Sequence, residues 1–202
     1  MKKIVAVVGT YRPGHVIDTA VDELLAGAAK AGAQVEKIML LDKHIEFCTN
    51  CRACTQDTGA KRGKCPLTDD MAGILDALEA ADGIVFASPI NFGNVTAIMK
   101  RFIERLICYA YWPWKIKKIP SLRIKKCEKS AVILTASACP AFIGRWLMSN
   151  PIKTMKNAAR CLGAGTVGKL YLGKVASGDS DILDKKQSLK AFKMGQQLGS
   201  VL

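Results

Sequence analysis

The chain has 202 residues, half of them hydrophobic and 23% charged, which suits a globular domain with a sizeable core and excludes a disordered chain. A net charge of +13 gives a field that attracts nucleotide phosphates, an acidic electron carrier or nucleic acid. No helix-turn-helix, zinc-finger or aromatic RNA-binding signature accompanies it, so no nucleic-acid partner is expected, and with no membrane span and only a short N-terminal apolar run the protein is expected to be cytoplasmic.

Residues 3–9 form a valine-rich apolar run that suits a strand buried on both faces. A turn-rich loop, Thr10-Tyr11-Arg12-Pro13-Gly14, follows. Residues 15–31 have apolar side chains at helical spacing, ending at Gly32, and 35–41 read as a second strand. A Cys-rich insertion loop fills 46–69. Asp69 and Asp70 are expected to cap the next helix, whose apolar face carries Met71, Ile74, Leu75 and Leu78. Residues 83–88 form a third strand that breaks at Pro89, and 96–109 read as helix. An aromatic and basic segment without a clear period covers 109–129. Residues 130–136 form a fourth strand, 141–161 a helix, 167–172 a fifth strand and 184–198 a final helix.

Strands alternating with helices predict an α/β protein with a doubly wound, five-stranded parallel sheet in three layers, one domain over 1–202. Ligands of such sheets bind at the carboxyl ends of the strands, which singles out the loops 9–16, 88–95 and 136–141. The first loop opens a helix, where free N–H groups and the helix dipole favour an anion. Thr10 offers a hydroxyl, Arg12 a charge-assisted hydrogen bond and Gly14 a tight turn; His15 and Val16 begin the helix. Neither G-x-G-x-x-G nor a loop ending in Gly-Lys-Ser/Thr is present, so a phosphate monoester such as that of FMN fits better than a dinucleotide or ATP. The second loop, Ser88-Pro89-Ile90-Asn91-Phe92-Gly93-Asn94, suits the edge of a planar heterocycle, with Phe92 either making an aromatic contact or packing in the core.

Eight cysteines are present, and with no secretory signal a disulfide framework is not expected. Cys48, Cys51 and Cys54 form C-x-x-C-x-x-C, and Cys65-Pro66 follows after ten residues. This triplet can converge on a cubane iron–sulfur cluster if the polar residues 55–64 fold back to bring in Cys65. Zinc and a metal-free set of thiols are the alternatives. Cys108, Cys127, Cys139 and Cys161 read as small buried hydrophobes. His44 reads as a surface residue. Tyr109, Tyr111, Trp112 and Trp114, with Lys115, Lys117 and Lys118, form either a lid or subunit contact or a core-packing flap, and an interface is favoured.

Taken together, Gly9-Thr10-Tyr11-Arg12, the 48–65 cysteine segment, Asp69-Asp70-Met71, Ala81-Asp82-Gly83-Ile84-Val85 leading to Ser88-Pro89, Phe92-Gly93 and Met99-Lys100-Arg101-Phe102 resemble the iron–sulfur flavoprotein branch of the NAD(P)H-dependent FMN reductase superfamily. The resemblance implies a flavodoxin-like fold, FMN as cofactor and a homodimer or homotetramer. It implies that Thr10, Arg12 and Gly14 take the phosphate; His15, next to Val16 at the helix start, either approaches that phosphate or is a solvated loop residue. Ser88, Pro89, Ile90, Asn91, Phe92 and Gly93 would border the isoalloxazine, with Ser137 and Ala138 on its flank. Cys48, Cys51, Cys54 and Cys65 would hold a [4Fe–4S] cluster. The implied function is an electron-transfer oxidoreductase using NAD(P)H or a small redox carrier. The alternatives are a cluster-free NAD(P)H-dependent FMN or quinone reductase, and a non-enzymatic basic binding protein on the same scaffold.

Overall fold

Alternation along β1 (Lys3–Val8) builds both faces of the molecule at once. Val5 and Val7 point to one face, Ile4, Ala6 and Val8 to the other, and all five are fully buried. A strand that buries both faces must sit inside a sheet covered on both sides, as the sequence predicts. The computed structural model describes every residue except Ile116, Lys118, Met148, 176–182 and Leu202, so Lys118 of the basic segment lies outside the described residues.

In chain order, α1 (Val16–Lys30), β2 (Gln34–Met39), α2 (Met71–Ala80), β3 (Gly83–Pro89) and α3 (Ala97–Arg105) follow β1. Two short strands, β4 (Ala110–Tyr111) and β5 (Ser121–Leu122), pair antiparallel within the segment that showed no period. Then come β6 (Lys129–Ala136), α4 (Ala141–Leu147), α5 (Ser149–Cys161), β7 (Ala164–Leu172) and α6 (Lys185–Val201). The main sheet has the order β2-β1-β3-β6-β7 and is parallel throughout.

Two cores result. On one face Val5, Val7, Ile84, Phe86 and Ile133 pack against α2, α3 and α5 through Leu78, Phe102 and Met155. On the other, Ile4, Ala6, Val85 and Leu134 pack against α1 and α6 through Leu24, Ala191 and Leu198. The two helices of this second layer touch backbone to backbone: a Cβ on Gly27 would meet the Phe192 carbonyl, and one on Gly195 the Leu24 carbonyl.

Two local expectations change. The helix expected over 96–109 ends at Arg105 and tightens into a 3-10 turn over Leu106–Tyr109. The side chain of Asp70 does not cap α2; it accepts a hydrogen bond from the backbone N–H of His44 at 2.8 Å, and Asp69 alone reaches the helix, at Met71 N, 3.0 Å.

Candidate functional site

Adjacent parallel strands β1, β3 and β6 bring the three predicted loops side by side. Backbone bonds continue past the strand ends, from Gly9 N to Ala87 O (2.8 Å) and from Ile90 N to Ala136 O (2.9 Å). A buried set of hydroxyls locks the loops together. Thr96 donates to Gly9 O at 2.6 Å, its backbone N–H donates to Ser88 Oγ at 3.1 Å, and Thr135 donates to Ser88 O at 2.8 Å. Ser88 is fully buried, so its hydroxyl holds the loops together. Thr96 and Thr135 carry no motif of their own; a Thr just before a helical run is the one signal, and Thr96 indeed caps α3 by accepting from Met99 N.

The first loop keeps an open helix start. His15 is the N-cap of α1 but its side chain makes no capping bond, and the N–H groups of Val16 and Ile17 have no acceptor inside the helix. Gly14 takes φ +76°, a left-handed turn that favours glycine. Thr10 is buried and accepts from Arg12 N, while Arg12 itself is exposed. Val16 is buried and offers the site only its backbone. Beneath the loop lies a carboxylate not foreseen as part of the site: Asp18 accepts from Gly14 N at 2.8 Å and pairs with Lys37 at 3.0 Å. Burial would lower the Lys37 ammonium, but its bonds to Asp22 and Asp18 outweigh that and raise it. Lys37 thereby offsets the negative charge that Asp18 would otherwise set against an anion in the loop. The donor set of backbone N–H groups, hydroxyl and guanidinium fits a phosphate monoester.

In the second loop Asn91 and Asn94 exchange backbone bonds of 2.9 and 3.0 Å around Phe92-Gly93, both with positive φ. This is the two-residue hairpin geometry. It throws the Phe92 ring fully into solvent, so that ring is a contact surface and not a core residue. In the third loop Ser137 Oγ lies 2.5 Å from Tyr171 OH and accepts from Cys139 N, which ties the loop to the end of β7 next to Ala138.

The cysteine segment follows β2, the strand that pairs with β1. Residues 55–64 fold back, and Cys48, Cys51, Cys54 and Cys65 line one cavity of about 230 Å³ together with Arg52 and Arg105. The return is tight at Gly63, where a Cβ would strike the Cys54 carbonyl. Burial pushes the Cys54 thiol up to about 11, helped by the nearby negative charge of Cys65, Cys48 and Cys51. Among the described residues no three Cys, His, Asp or Glu side chains are gathered closely enough to hold one metal ion. A single tetrahedral zinc with bonds of about 2.3 Å demands sulfurs about 3.8 Å apart, whereas a cubane spreads its ligands wider, so a ring of four thiols around a cavity suits a cluster better. Of the four scattered cysteines, Cys108 alone is fully buried and Cys127 is exposed, so the expectation of small buried hydrophobes fails for Cys127. His44 is on the surface as expected, paired with Glu46 at 2.9 Å.

Two further groups hold the segment. Arg105 pairs with Asp69 and donates to Cys65 Sγ at 3.5 Å. The 109–129 segment clamps the cysteine loop: Trp112 N donates to Thr55 O, Trp114 Nε1 to Cys51 O and Arg123 to Cys54 O. Neither the lid nor the core-flap expectation for this segment includes that clamp. Trp114 remains largely exposed.

A parallel sheet of order β2-β1-β3-β6-β7, with an anion-ready loop after its first strand and two more loops at the neighbouring strand ends, defines a flavodoxin-like α/β protein. The family model for NADPH-dependent FMN reductase matches residues 2–172, and the chain belongs to that family. It is similar to an iron–sulfur flavoprotein of Methanocaldococcus jannaschii (36% identical over 103 residues, 51% of each chain) and to one of Archaeoglobus fulgidus (33% over 111 residues, 55% of this chain and 48% of the other). These matches span about half the length of the curated relatives. Among solved structures, an NAD(P)H:quinone oxidoreductase from Methanothermobacter marburgensis superposes with a TM-score of 0.73 at 17% identity, covering 98% of this chain and 96% of that one. An FMN-dependent NADH-azoreductase from Bacillus anthracis gives 0.68 at 15% identity, covering 100% and 99%. At such identities these structures speak for the fold alone.

Proposed function

We propose that the protein is an FMN-binding, NAD(P)H-dependent oxidoreductase whose four-cysteine cavity carries a [4Fe–4S] cluster. The observation that carries this reading is the convergence of Cys48, Cys51, Cys54 and Cys65 on one cavity in a chain whose hydroxyl-locked loops stand at the carboxyl ends of β1, β3 and β6. Thr10, Arg12, Gly14, His15 and Val16 would hold the phosphate. The backbone of Ser88 and Pro89, Ile90, Asn91, Phe92 and Gly93 would border the ring system, with Ser137 and Ala138 on its flank. Bound FMN supplies hydride acceptance and one-electron transfer, and the protein orients it.

The chain's own residues do four things. Arg12 and the first-turn N–H groups of α1 bind the dianion, and Lys37 offsets part of the negative charge of Asp18 beneath it. Thr96, Ser88 and Thr135 fix the spacing between loops. The exposed Phe92 ring would offer an apolar contact to the bound ring system and help exclude water there. Arg105 and Arg52 line the cysteine cavity and set positive charge beside the sulfurs of a group bound there. Among the described residues no helix is long and apolar enough to cross a membrane. A homodimer or homotetramer, with the exposed aromatic rings Trp114 and Phe92 at the contact, completes the proposal.

An anaerobic absorption spectrum of fresh protein, with iron and acid-labile sulfide determined beside flavin, tests it. Flavin bands with a broad bleachable shoulder and about one iron per cysteine ligand support both centres. Flavin without iron leaves a cluster-free reductase. Failure of added FMN to bind overturns the flavoprotein reading and leaves a basic binding protein.

A further inference from the structure

Arg52 lies between two of the clustered cysteines, in Cys51-Arg52-Ala53-Cys54, and lines their cavity. Its backbone is left-handed, φ +60°, a conformation that side-chain-bearing residues rarely adopt. Its guanidinium lies 3.7 Å over the Trp112 ring, and Nη2 donates to Trp112 O at 2.7 Å and Pro113 O at 2.9 Å. Stack and carbonyls together fix the plane of the fork. Of the remaining donors Nε is buried and has no hydrogen-bond partner. A buried N–H on a charged group is rarely left without an acceptor, because nothing repays its lost hydration. Nε is also the donor nearest the Arg52 backbone, and Arg52 lines a cavity that Cys48, Cys51, Cys54 and Cys65 line as well.

We propose that Arg52 Nε–H donates a hydrogen bond to an anionic sulfur held in the cysteine cavity and thereby sets the reduction potential of the iron–sulfur group bound there. This rests on the cluster reading above. Reduction adds one electron, makes and breaks no bond to Arg52, and moves no proton, since a guanidinium stays protonated at all working pH values. A fixed positive donor in a poorly solvated place stabilises the more negative, reduced form more than the oxidised one, so the potential rises. Arg52 acts on the cluster's sulfur environment and is a positioning residue, not a catalytic one.

Two substitutions separate hydrogen bond from charge. Arg52→Lys keeps the charge but places a methylene where Nε stood. Arg52→Gln loses the charge but keeps an N–H on the same carbon. A third, Thr55→Val, removes the hydroxyl that reaches Trp112 O and Arg52 O (2.9 Å each) and loosens the clamp while leaving the Arg52 side chain in place. Full-length proteins are reconstituted anaerobically with ferrous iron and sulfide, analysed for both, and titrated with dithionite. Exchangeable-proton hyperfine coupling to the reduced cluster is read in H2O against D2O.

The expected result is an exchangeable coupling in the wild type that Arg52→Lys loses and Arg52→Gln keeps. At fixed potential the reduced-to-oxidised ratio falls about tenfold in Arg52→Lys, equal to about 59 mV for a one-electron couple. Arg52→Gln shifts by less than half of that, and Thr55→Val leaves the potential unchanged. Lack of an exchangeable coupling in cluster-loaded wild type overturns the proposal whatever the variants do. So does the reverse order of Lys and Gln, which assigns the effect to charge, or an equal shift in Thr55→Val, which assigns it to the clamp. Wild type that takes up no iron and sulfide overturns the cluster reading itself, a failure read from metal content and not from potential.

Discussion

Arg105 and Asp69 form an ion pair directly behind Cys65, with side chains only 2% and 1% exposed. The same guanidinium donates to Glu46 O and Cys65 Sγ, so a helix, both ends of the cysteine loop and a candidate ligand share one cation. Breaking such a pair leaves a buried charge alone, which costs about 3–5 kcal/mol. Arg105→Met is expected to lose that much in urea unfolding. Asp69→Asn is expected to lose less, since its amide still accepts from Arg105.

The pair also sets a pH dependence. Burial alone would raise the Asp69 carboxyl, but Arg105 and the N–H groups of Glu46 and Met71 outweigh it and hold it below its ordinary 3.8. A depressed folded value means the contribution is fully present above the unfolded value and is lost as pH falls through the folded one. The difference in urea midpoint between wild type and Asp69→Asn is therefore expected to be constant above about pH 5 and to shrink below about pH 4. A difference that grows on acidification would contradict this.

Thr96 donates into Gly9 O at the floor of the first loop. Thr96→Val leaves that buried carbonyl unpaired, at about 1–3 kcal/mol. Thermal unfolding should show the loss, and fluorescence titration with FMN should show weaker binding, because the first and second loops no longer hold a common spacing.

At the tip of the second loop, adjacent residues should behave oppositely. Phe92 is fully exposed, so Phe92→Ala is expected to leave stability within about 0.5 kcal/mol while weakening FMN binding. Gly93 takes φ +75°, so Gly93→Val is expected to destabilise by about 1–2 kcal/mol through backbone strain. Parallel measurement of melting temperature and FMN affinity distinguishes them.

Gly63 lets residues 55–64 return against Cys54. Gly63→Ala places a Cβ in the Cys54 carbonyl and is expected to displace Cys65 from the cavity. Reconstituted protein should then hold at least about tenfold less iron and sulfide while its FMN content stays unchanged, since the three phosphate and ring loops lie on other strand ends. Equal losses of iron and flavin would show that the two sites are not separable in this way.

Apolar runs at 3–9, 83–88 and 130–136 and helical periodicity between them determined by themselves the parallel sheet and its strand-end loops, and the C-x-x-C-x-x-C spacing marked the cysteine triplet. These are local patterns of spacing, and burial on both faces leaves a strand little choice of neighbours. Only the tertiary structure decided what is long-range. It seated Thr96 and Thr135 on the loops, set Asp18 with Lys37 beneath the first one, and brought Arg105 with Asp69 behind Cys65. It also turned an aperiodic aromatic segment into a clamp that stacks Trp112 on Arg52, 60 residues away in sequence. Such pairings leave no period or motif in the chain, because their energy exists only once distant residues have been brought into one poorly solvated place.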